Sequence, residues 1–523
     1  MTFDARTIGE IEGDYASKTR ARTCVPLRAD TIVELHHLIT SAAGASDIIE
    51  LRLDGLSEGE LTAVQRQLES LVARSQVPAI ITFRPSEQGG YRELSITQRR
   101  QFWNAAGKIK DAWFDVEKDL CVTEPPLDLD WSRVICSYHD FAGSPQNIDE
   151  IYRDLAASPA RILKVAIQAS DVVDCLPVFH LLQRASAEKR QVIALAMGDA
   201  GLPTRVLGPS QGSFLTYAPI DTERATAPGQ VTVDRLKKVY HIQDIHKMTL
   251  IHGLVGSPVM HSISPHVHNA AFQAEGIDAV YLPLEVKNLQ SFMRRMADPA
   301  SREINWRLAG LSITAPHKVE IMKYLTSVDA RAQDIGAVNT VTFEDRQLIG
   351  YNTDVDGFIE PLANAIELTS DMRVAVIGAG GAAKAATWSL CEKNIPVTIF
   401  ARDPQRAESL GARFDVPIQR LKDANFESFD VVVNATPLGS FGSRSDQTPA
   451  IVDQLRGVQL AYDLVYNPIK TRFMREAENA GCRTLGGLEM LVAQAKLQFK
   501  LWTGKKAPAE VMYSAALHGL RND

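Results

Sequence analysis

Lys164 stands in the middle of an apolar run, "ILKVAIQ" (162–168). Buried without a partner, its ammonium would cost several kcal/mol, on the order of what any buried ion costs. Three arrangements relieve that cost: a solvated strand edge, a buried carboxylate, or a neutral and reactive amine. Other polar residues occupy the same kind of place, late in short apolar runs: Glu50 and Arg52 in "IIELRLD", Arg84 in "AIITFRP", and His139 in "VICSYHDF". A lysine desolvated beside a second cation loses basicity and attacks carbonyls as the amine. Arg52, Arg84 and Arg205 are the candidate neighbours, and His139 is placed to move protons next to the resulting imine. Each residue alone has an ordinary reading: a snorkelling lysine, a core histidine bonded to a carbonyl, an edge strand of alternating charge. Together they put a polar group at one strand end after another.

A second chemistry is written in "RVAVIGAGGAAKAATWSL" (373–390), where Gly378, Gly380 and Ala383 form G-x-G-x-x-A between an apolar run and a helical pattern. Such glycines permit a tight turn and let backbone approach a pyrophosphate resting on the helix N-terminus. The next run, "VTIFARD", ends in Arg402 and Asp403, with Arg406 one turn later. The arginines suit a ribose 2′-phosphate and hence NADP, while Asp403 pulls towards the ribose hydroxyls of NAD; the position of the acid beyond the usual strand end favours NADP.

These groups need scaffolds. Residues 23–28, 48–54, 79–85, 112–119, 134–141, 162–168, 192–198 and 213–219 read as strands, most of them separated by amphipathic segments such as 60–75. Eight β/α units in about 240 residues is the size of a TIM barrel, whose active site lies at the C-terminal strand ends. The segment 233–249 reads as a junction, and a new alternating pattern starts at "TLIHGLVG". The expected architecture is α/β: a TIM (β/α)8 barrel over 1–240, a substrate-binding α/β domain over 249–355 onto which the C-terminal residues 488–523 pack back, and a Rossmann-like dinucleotide-binding domain over 356–487.

Bulk composition narrows the classes. A chain of 523 residues exceeds one core. A net charge of −7 without a basic stretch argues against nucleic acid. The six scattered cysteines form no C-x-x-C pair, which favours reduced thiols in a cytoplasmic compartment and no structural metal. The opening "MTFDARTIGEIEGD" has no apolar core and is acidic, so neither a signal nor a transit peptide is expected there, and no apolar run reaches membrane-spanning length. Small molecules are the expected partners, with no membrane, and nothing in the sequence specifies an oligomeric state.

In this order, "ELRLD", "TFRP", "SYHDF", "ILKVA" and "ATAPGQ" resemble type I 3-dehydroquinate dehydratase, a Schiff-base barrel. The resemblance implies that Lys164 forms an imine with the ketone of 3-dehydroquinate. His139 would remove the adjacent proton and protonate the departing hydroxyl, and Glu50 would orient His139. Arg205 would clamp the substrate carboxylate, Arg52, Arg84 and Gln230 would hold hydroxyls and shape, and Thr226 would sit on a closing loop. One departure stands out: where the family shows a glutamate before the glycine pair, "RPSEQGG" has Gln88, with Glu87 one position earlier.

The second half resembles shikimate dehydrogenase in "GSPVMHSISPHVHNAAF", "LSITAPHK", "GAVNTV", "GYNTDVDGF", "NATPLG", "DLVYNPIKT" and "GGLEMLVAQA". Carried over, Lys318 and Asp354 are the catalytic pair that moves a proton to the substrate carbonyl oxygen. Ser262, Ser264, Thr314, Asn339, Tyr466 and Gln494 would bind substrate. Gly378, Ala379, Gly380, Gly381, Ala382, Arg402, Arg406, Thr436 and Gly487 would bind NADP. Taken singly, the serines read as helix caps and the lysine and aspartate as a surface ion pair. The product of the first chemistry, 3-dehydroshikimate, is the substrate of the second, so the chain resembles the fused dehydratase–shikimate dehydrogenase. An aldolase-type barrel joined to a quinate-type dehydrogenase is the rival enzyme reading. A regulatory protein carrying degenerate copies of these domains is the rival of another class; retention of Lys164, His139, Lys318 and Asp354 argues against it.

Overall fold

The computed structural model describes residues 20–123, 126–143 and 147–522; the opening stretch read above for targeting signals lies outside them. The chain divides into two compact units, one running to Thr249 with Pro283–Ala297 and Ser301–Arg307, the other comprising Leu250–Leu282, Asp298–Ala300 and the residues from Leu308 onward.

The first unit is built on eight strands, β1 (Thr23–Arg28), β2 (Ile48–Arg52), β3 (Ala79–Thr82), β4 (Ala112–Glu117), β5 (Val134–His139), β6 (Ile162–Gln168), β7 (Gln191–Met197) and β8 (Thr216–Tyr217). They form one sheet in the order β7-β6-β5-β4-β3-β2-β1-β8, with parallel ladders throughout. A bridge between Val192 and Ser213 brings the two ends together, which makes a nearly closed barrel. The strand alternation then explains the site. Ile48, Ile80, Ile135, Ile162 and Ile193 form an apolar floor inside the barrel with Cys24 and the partly buried Trp113. Two residues further along each strand, a side chain returns to the same face, and there the sequence changes character to Glu50, Thr82, Asp115, Ser137 and Lys164. One more step gives Arg52, Arg84, Glu117 and His139, all buried.

The chain from Leu250 onward builds two further sheets. The first is mixed, with strands β9 (Leu250–Gly256), β10 (Ala279–Glu285), β11 (Leu308–Ile313), β12 (Ser327–Val328), β13 (Thr340–Glu344) and β14 (Gln347–Tyr351) in the order β10-β9-β11-β13-β14-β12. The second comprises β15 (Val374–Ile377), β16 (Val397–Ala401), β17 (Ile418–Arg420), β18 (Val431–Asn434), β19 (Leu460–Asp463) and β20 (Arg483–Leu485), all parallel, in the order β17-β16-β15-β18-β19-β20. Counted from β15, that is the 3-2-1-4-5-6 order of the doubly wound dinucleotide fold, with its ligand crevice beside the first strand. The helix Gly487–Thr503 leaves this sheet, and with the helix Ala509–Asn522 it packs Leu488, Val492, Phe499, Met512 and Ala516 against Leu254, Val259 and Val267 of the mixed-sheet lobe. Among the described residues no helix is long and apolar enough to cross a membrane.

Candidate active sites

In the barrel, Lys164 takes the second of the three arrangements open to it. Its Nζ donates to Asp115 Oδ2 at 2.7 Å and to Tyr217 Oη at 3.0 Å, and Glu50 Oε1 lies 3.8 Å away. Asp115 also pairs with Arg84 at 2.8 Å and is itself fully buried. Burial would raise the Asp115 carboxyl, but Arg84 and Lys164 outweigh it and hold the group far below the usual carboxylate range. Arg52 is gripped by Asp54 through two hydrogen bonds of 3.1 and 2.8 Å. Burial lowers the Arg205 guanidinium to about 10.

The crowding of cations has its consequence at His139. Desolvation first, then Arg84 and Lys164, push its imidazole well below the ordinary value, against the pull of Asp115. A neutral imidazole near neutral pH is a base. His139 shares a cavity of about 40 Å³ with Lys164, Arg52, Arg84, Arg205, Tyr217, Thr226 and Gln230. The loop over it is organised by Gln230, whose Oε1 accepts the Thr226 N–H at 3.0 Å.

In the second unit a cleft of about 530 Å³ is lined by Ser262, Ser264, Thr314, Lys318, Asn339, Asp354, Ala382, Thr436, Tyr466, Gly487 and Gln494. Lys318 Nζ meets Asp354 Oδ2 at 2.5 Å, and Asn339 Nδ2 donates to the other carboxylate oxygen at 2.7 Å. Asp354 opens the helix Asp354–Ala365, where the helix dipole favours a carboxylate. Asn339 is fixed in turn by the Thr353 N–H at 2.8 Å, and Gln498 reaches Thr340 Oγ1 at 3.0 Å and receives Ser312 Oγ at 2.9 Å. Ser262 and Ser264 hydroxyls touch at 3.1 Å.

The glycine turn meets the requirements of a dinucleotide. Gly378 has φ +124°, Gly380 caps the helix Gly381–Cys391, and a Cβ on Gly380 would meet nothing within 4 Å. The helix N-terminus is therefore open to a phosphate. A Cβ on Gly381 would come within 2.8 Å of Lys318 Cδ, so this glycine lets the turn approach the lysine.

Models of four families match the chain: Type I 3-dehydroquinase over residues 23–247, Shikimate dehydrogenase substrate binding domain over 254–341, Shikimate / quinate 5-dehydrogenase over 362–458, and Shikimate 5′-dehydrogenase C-terminal domain over 487–517. The bifunctional 3-dehydroquinate dehydratase/shikimate dehydrogenase, chloroplastic, of Arabidopsis thaliana is 33% identical over 96% of this chain and 85% of its own length. The chain belongs to this bifunctional family. Shikimate biosynthesis protein AroDE of Chlamydia pneumoniae is 28% identical over 92% of this chain and 94% of its own. The shikimate dehydrogenase (NADP(+)) of Moorella thermoacetica is 42% identical over 50% of this chain and 90% of its own.

Of the residues expected from sequence in the dehydratase half, Glu50, Arg52, Arg84, His139, Lys164, Arg205, Thr226 and Gln230 all line one cavity. Glu50 has a different neighbour from the one expected. Its Oε1 accepts Thr82 Oγ1 at 2.8 Å and faces Lys164, while the contact to His139 comes from Gln88, whose Oε1 accepts the His139 backbone N–H at 3.0 Å. In the dehydrogenase half, Gly378, Ala379, Gly380 and Gly381 sit in the turn beside the cleft, and Arg402 and Arg406 are exposed beyond the end of β16. Arg406 pairs with Asp403 at 3.4 Å, and Asp403 accepts the Gln405 N–H, so the acid is engaged as a cap. Sequence reasoning missed Asp115 and Tyr217 in the barrel, and Ser312 and Gln498 in the cleft, and it noted Gln88 as a departure from the family without assigning it to the site. Asp115 had a signal: "AWFDVEKD" places carboxylates two apart in an apolar strand, the same anomaly that marks Lys164.

Proposed function

We propose that the barrel dehydrates 3-dehydroquinate to 3-dehydroshikimate through a Lys164 imine, and that the second unit reduces 3-dehydroshikimate to shikimate with NADPH. The observation that carries the reading is the shared barrel cavity, into which a nucleophilic lysine and a base-forming histidine both open from adjacent strands. Lys164 gives up one proton of its ammonium to attack as the amine, and that proton is returned as the adduct loses water, which leaves a protonated C=N bond. His139 takes the proton from the adjacent carbon, the electron pair moves towards nitrogen, and the same imidazole returns the proton to the departing hydroxyl. Hydrolysis of the product imine frees Lys164. Arg205 holds the substrate carboxylate, with Arg52 and Arg84 oriented for it by Asp54 and Asp115.

In the cleft the turn Gly378–Gly381 with Ala382, Thr436 and Gly487 would hold NADP, with Arg402 and Arg406 at the ribose end. When bound, the reduced cofactor supplies a hydride. Lys318 holds and delivers the proton at the substrate carbonyl oxygen, and Asp354, fixed by Asn339, holds Lys318 in place. Ser262, Ser264, Thr314, Tyr466 and Gln494 bind the carboxylate and hydroxyls. The cysteines, free throughout the described residues, suit a reducing compartment, and we place the enzyme in the cytoplasm.

The test is NADPH oxidation with 3-dehydroquinate as sole substrate, for the wild type and for Lys164→Ala. Oxidation that disappears in the variant and returns on adding 3-dehydroshikimate is expected. No oxidation from either substrate by the wild type sinks the reading.

A further inference from the structure

Tyr217 is a buried phenol, contributed by the last barrel strand, that the chemistry above leaves without a role. It lines the cavity, and its hydroxyl lies 3.0 Å from Lys164 Nζ, while the ammonium also sits over its ring at 4.2 Å from the centroid. Its backbone carbonyl is 3.5 Å from Arg205 Nη1, so one residue spans the proposed nucleophile and the proposed carboxylate clamp.

The tetrahedral geometry of nitrogen gives these contacts meaning. A neutral amine has two N–H bonds and one lone pair besides its carbon. Asp115 at 2.7 Å and Tyr217 at 3.0 Å accept the two N–H groups, which leaves the lone pair as the remaining direction and directs it to an incoming carbonyl. The two acceptors differ in what they do next. Asp115, kept a carboxylate by Arg84 when Lys164 is the neutral amine, only accepts. A phenol accepts and donates through the same oxygen, and burial, then Glu50, raise Tyr217 well above its ordinary value so that the proton stays on it.

Attack of an amine on a ketone needs such a group. When the N–C bond forms, the C=O π pair moves to oxygen, leaving nitrogen positive and oxygen negative on the same carbon. Direct transfer of the proton from nitrogen to that oxygen would pass through a strained four-membered ring. A hydroxyl touching the nitrogen takes the N–H proton and gives its own to the oxygen, through a six-membered ring. The carbinolamine is then neutral and the phenol is restored, so atoms and charge balance without a further reactant. We propose that Tyr217 is a further catalytic residue of the dehydratase, the proton shuttle that carries Lys164 from amine to carbinolamine, leaving His139 for the elimination.

This rests on the reading of Lys164 as the imine-forming residue, and the experiment separates the two. The full chain is mixed with 3-dehydroquinate, quenched with borohydride at successive times, and the reduced adduct is followed by mass spectrometry. Tyr217→Phe keeps the ring and removes the shuttle, and Tyr217→Leu removes both; an unchanged urea midpoint of the barrel transition in each variant reports that the barrel is folded, since 3-dehydroshikimate reduction reports only the second unit. Adduct formation slowed about tenfold to a hundredfold in Tyr217→Phe, and as slow as in Tyr217→Leu, is expected for a proton-transfer group. A Tyr217→Phe rate within twofold of wild type, with only Tyr217→Leu slow, overturns the shuttle and leaves the ring as packing. If the wild type gives no adduct, or Lys164→Ala gives one, the imine reading itself fails.

Discussion

The barrel cavity measures about 40 Å³ and is walled by Glu50, Arg52, Arg84, Lys164 and Arg205, whereas the cleft measures about 530 Å³ and holds one ion pair, Lys318–Asp354, among hydroxyls and amides. The contrast follows from what each chemistry has to exclude. Imine formation is sensitive to the charge state of every neighbour, so the barrel surrounds the reacting atom with fixed, mutually neutralising ions. A hydride-transfer site has to admit a substrate and a dinucleotide together, which requires room, and only one proton has to be placed. Charge density in one site and space in the other are two ways of organising a reaction.

Substitutions can break that comparison at its centre. Lys164→Ala should lower 3-dehydroquinate turnover by about 10³-fold or more, as loss of a covalent nucleophile does, with 3-dehydroshikimate reduction unchanged. Asp354→Asn should do the reverse, lowering the reduction by about 10²-fold or more and sparing dehydration. Separate assays on each substrate check both, and a variant that loses both activities would contradict the independence of the sites.

The ionic wall itself is tested next. Asp115→Asn leaves Arg84 and Lys164 with only the longer contacts to Glu117 at 3.6 Å and Glu50 at 3.8 Å, so the barrel should lose about 3 kcal/mol, seen as a lower urea midpoint for its transition. The equivalent removal of an exposed pair, Arg456→Ala, should cost about 1 kcal/mol or less, because both partners are mostly in water.

pH separates the units with opposite signs. Glu117, raised by burial to about 7 from an ordinary 4.5, is held as the acid in the folded barrel. Its stabilising contribution is whole below pH 4.5 and is lost as pH rises through about 7. His252 and His268 in the second unit are lowered by burial to about 3 from 6.5. Their contribution is whole above pH 6.5 and is lost as pH falls towards 3, because the unfolded chain takes up protons that the folded chain refuses. Each tenfold difference in proton affinity between the folded and the unfolded chain is worth about 1.4 kcal/mol. Glu117→Gln should therefore flatten the loss of barrel stability between pH 5 and 7. His268→Gln should flatten that of the second unit between pH 6 and 4. Unfolding monitored across that range decides both.

The smallest effect belongs to the cleft rim. Arg402→Ala should raise KM for NADPH by about threefold to fivefold, the worth of one surface charge contact, and leave the KM for NADH unchanged. An equal rise with both cofactors would remove the arginine from the ribose phosphate.

The eight barrel strands, the glycine turn and the set of polar strand ends were all legible in the sequence, because alternation at period two and a strand–glycine–helix succession are local signals. Which carboxylate meets Lys164 was not. The sequence pointed to cations as its neighbours, yet Asp115 comes from two strands away in the sheet, and the cations act on His139. Tyr217 was hidden for a related reason: its strand is only two residues long, too short to show which face it turns inward. Gln88 ends the short 3-10 turn Ser86–Gln88, where no periodicity says that its amide reaches the His139 backbone.

The packing of Met512 and Ala516 against Leu254 and Val259 orders events on the ribosome. Chains emerge from their N-terminus at about 5–20 residues per second, and domains fold as units as they appear. The barrel has all its strands once residue 217 is out. The mixed-sheet lobe, begun at residue 250, lacks its covering helices until residues 487–522 follow. For the tens of seconds needed to make the intervening nucleotide fold, Leu254, Val259 and Val267 remain uncovered, so the lobe whose folding begins second is completed last.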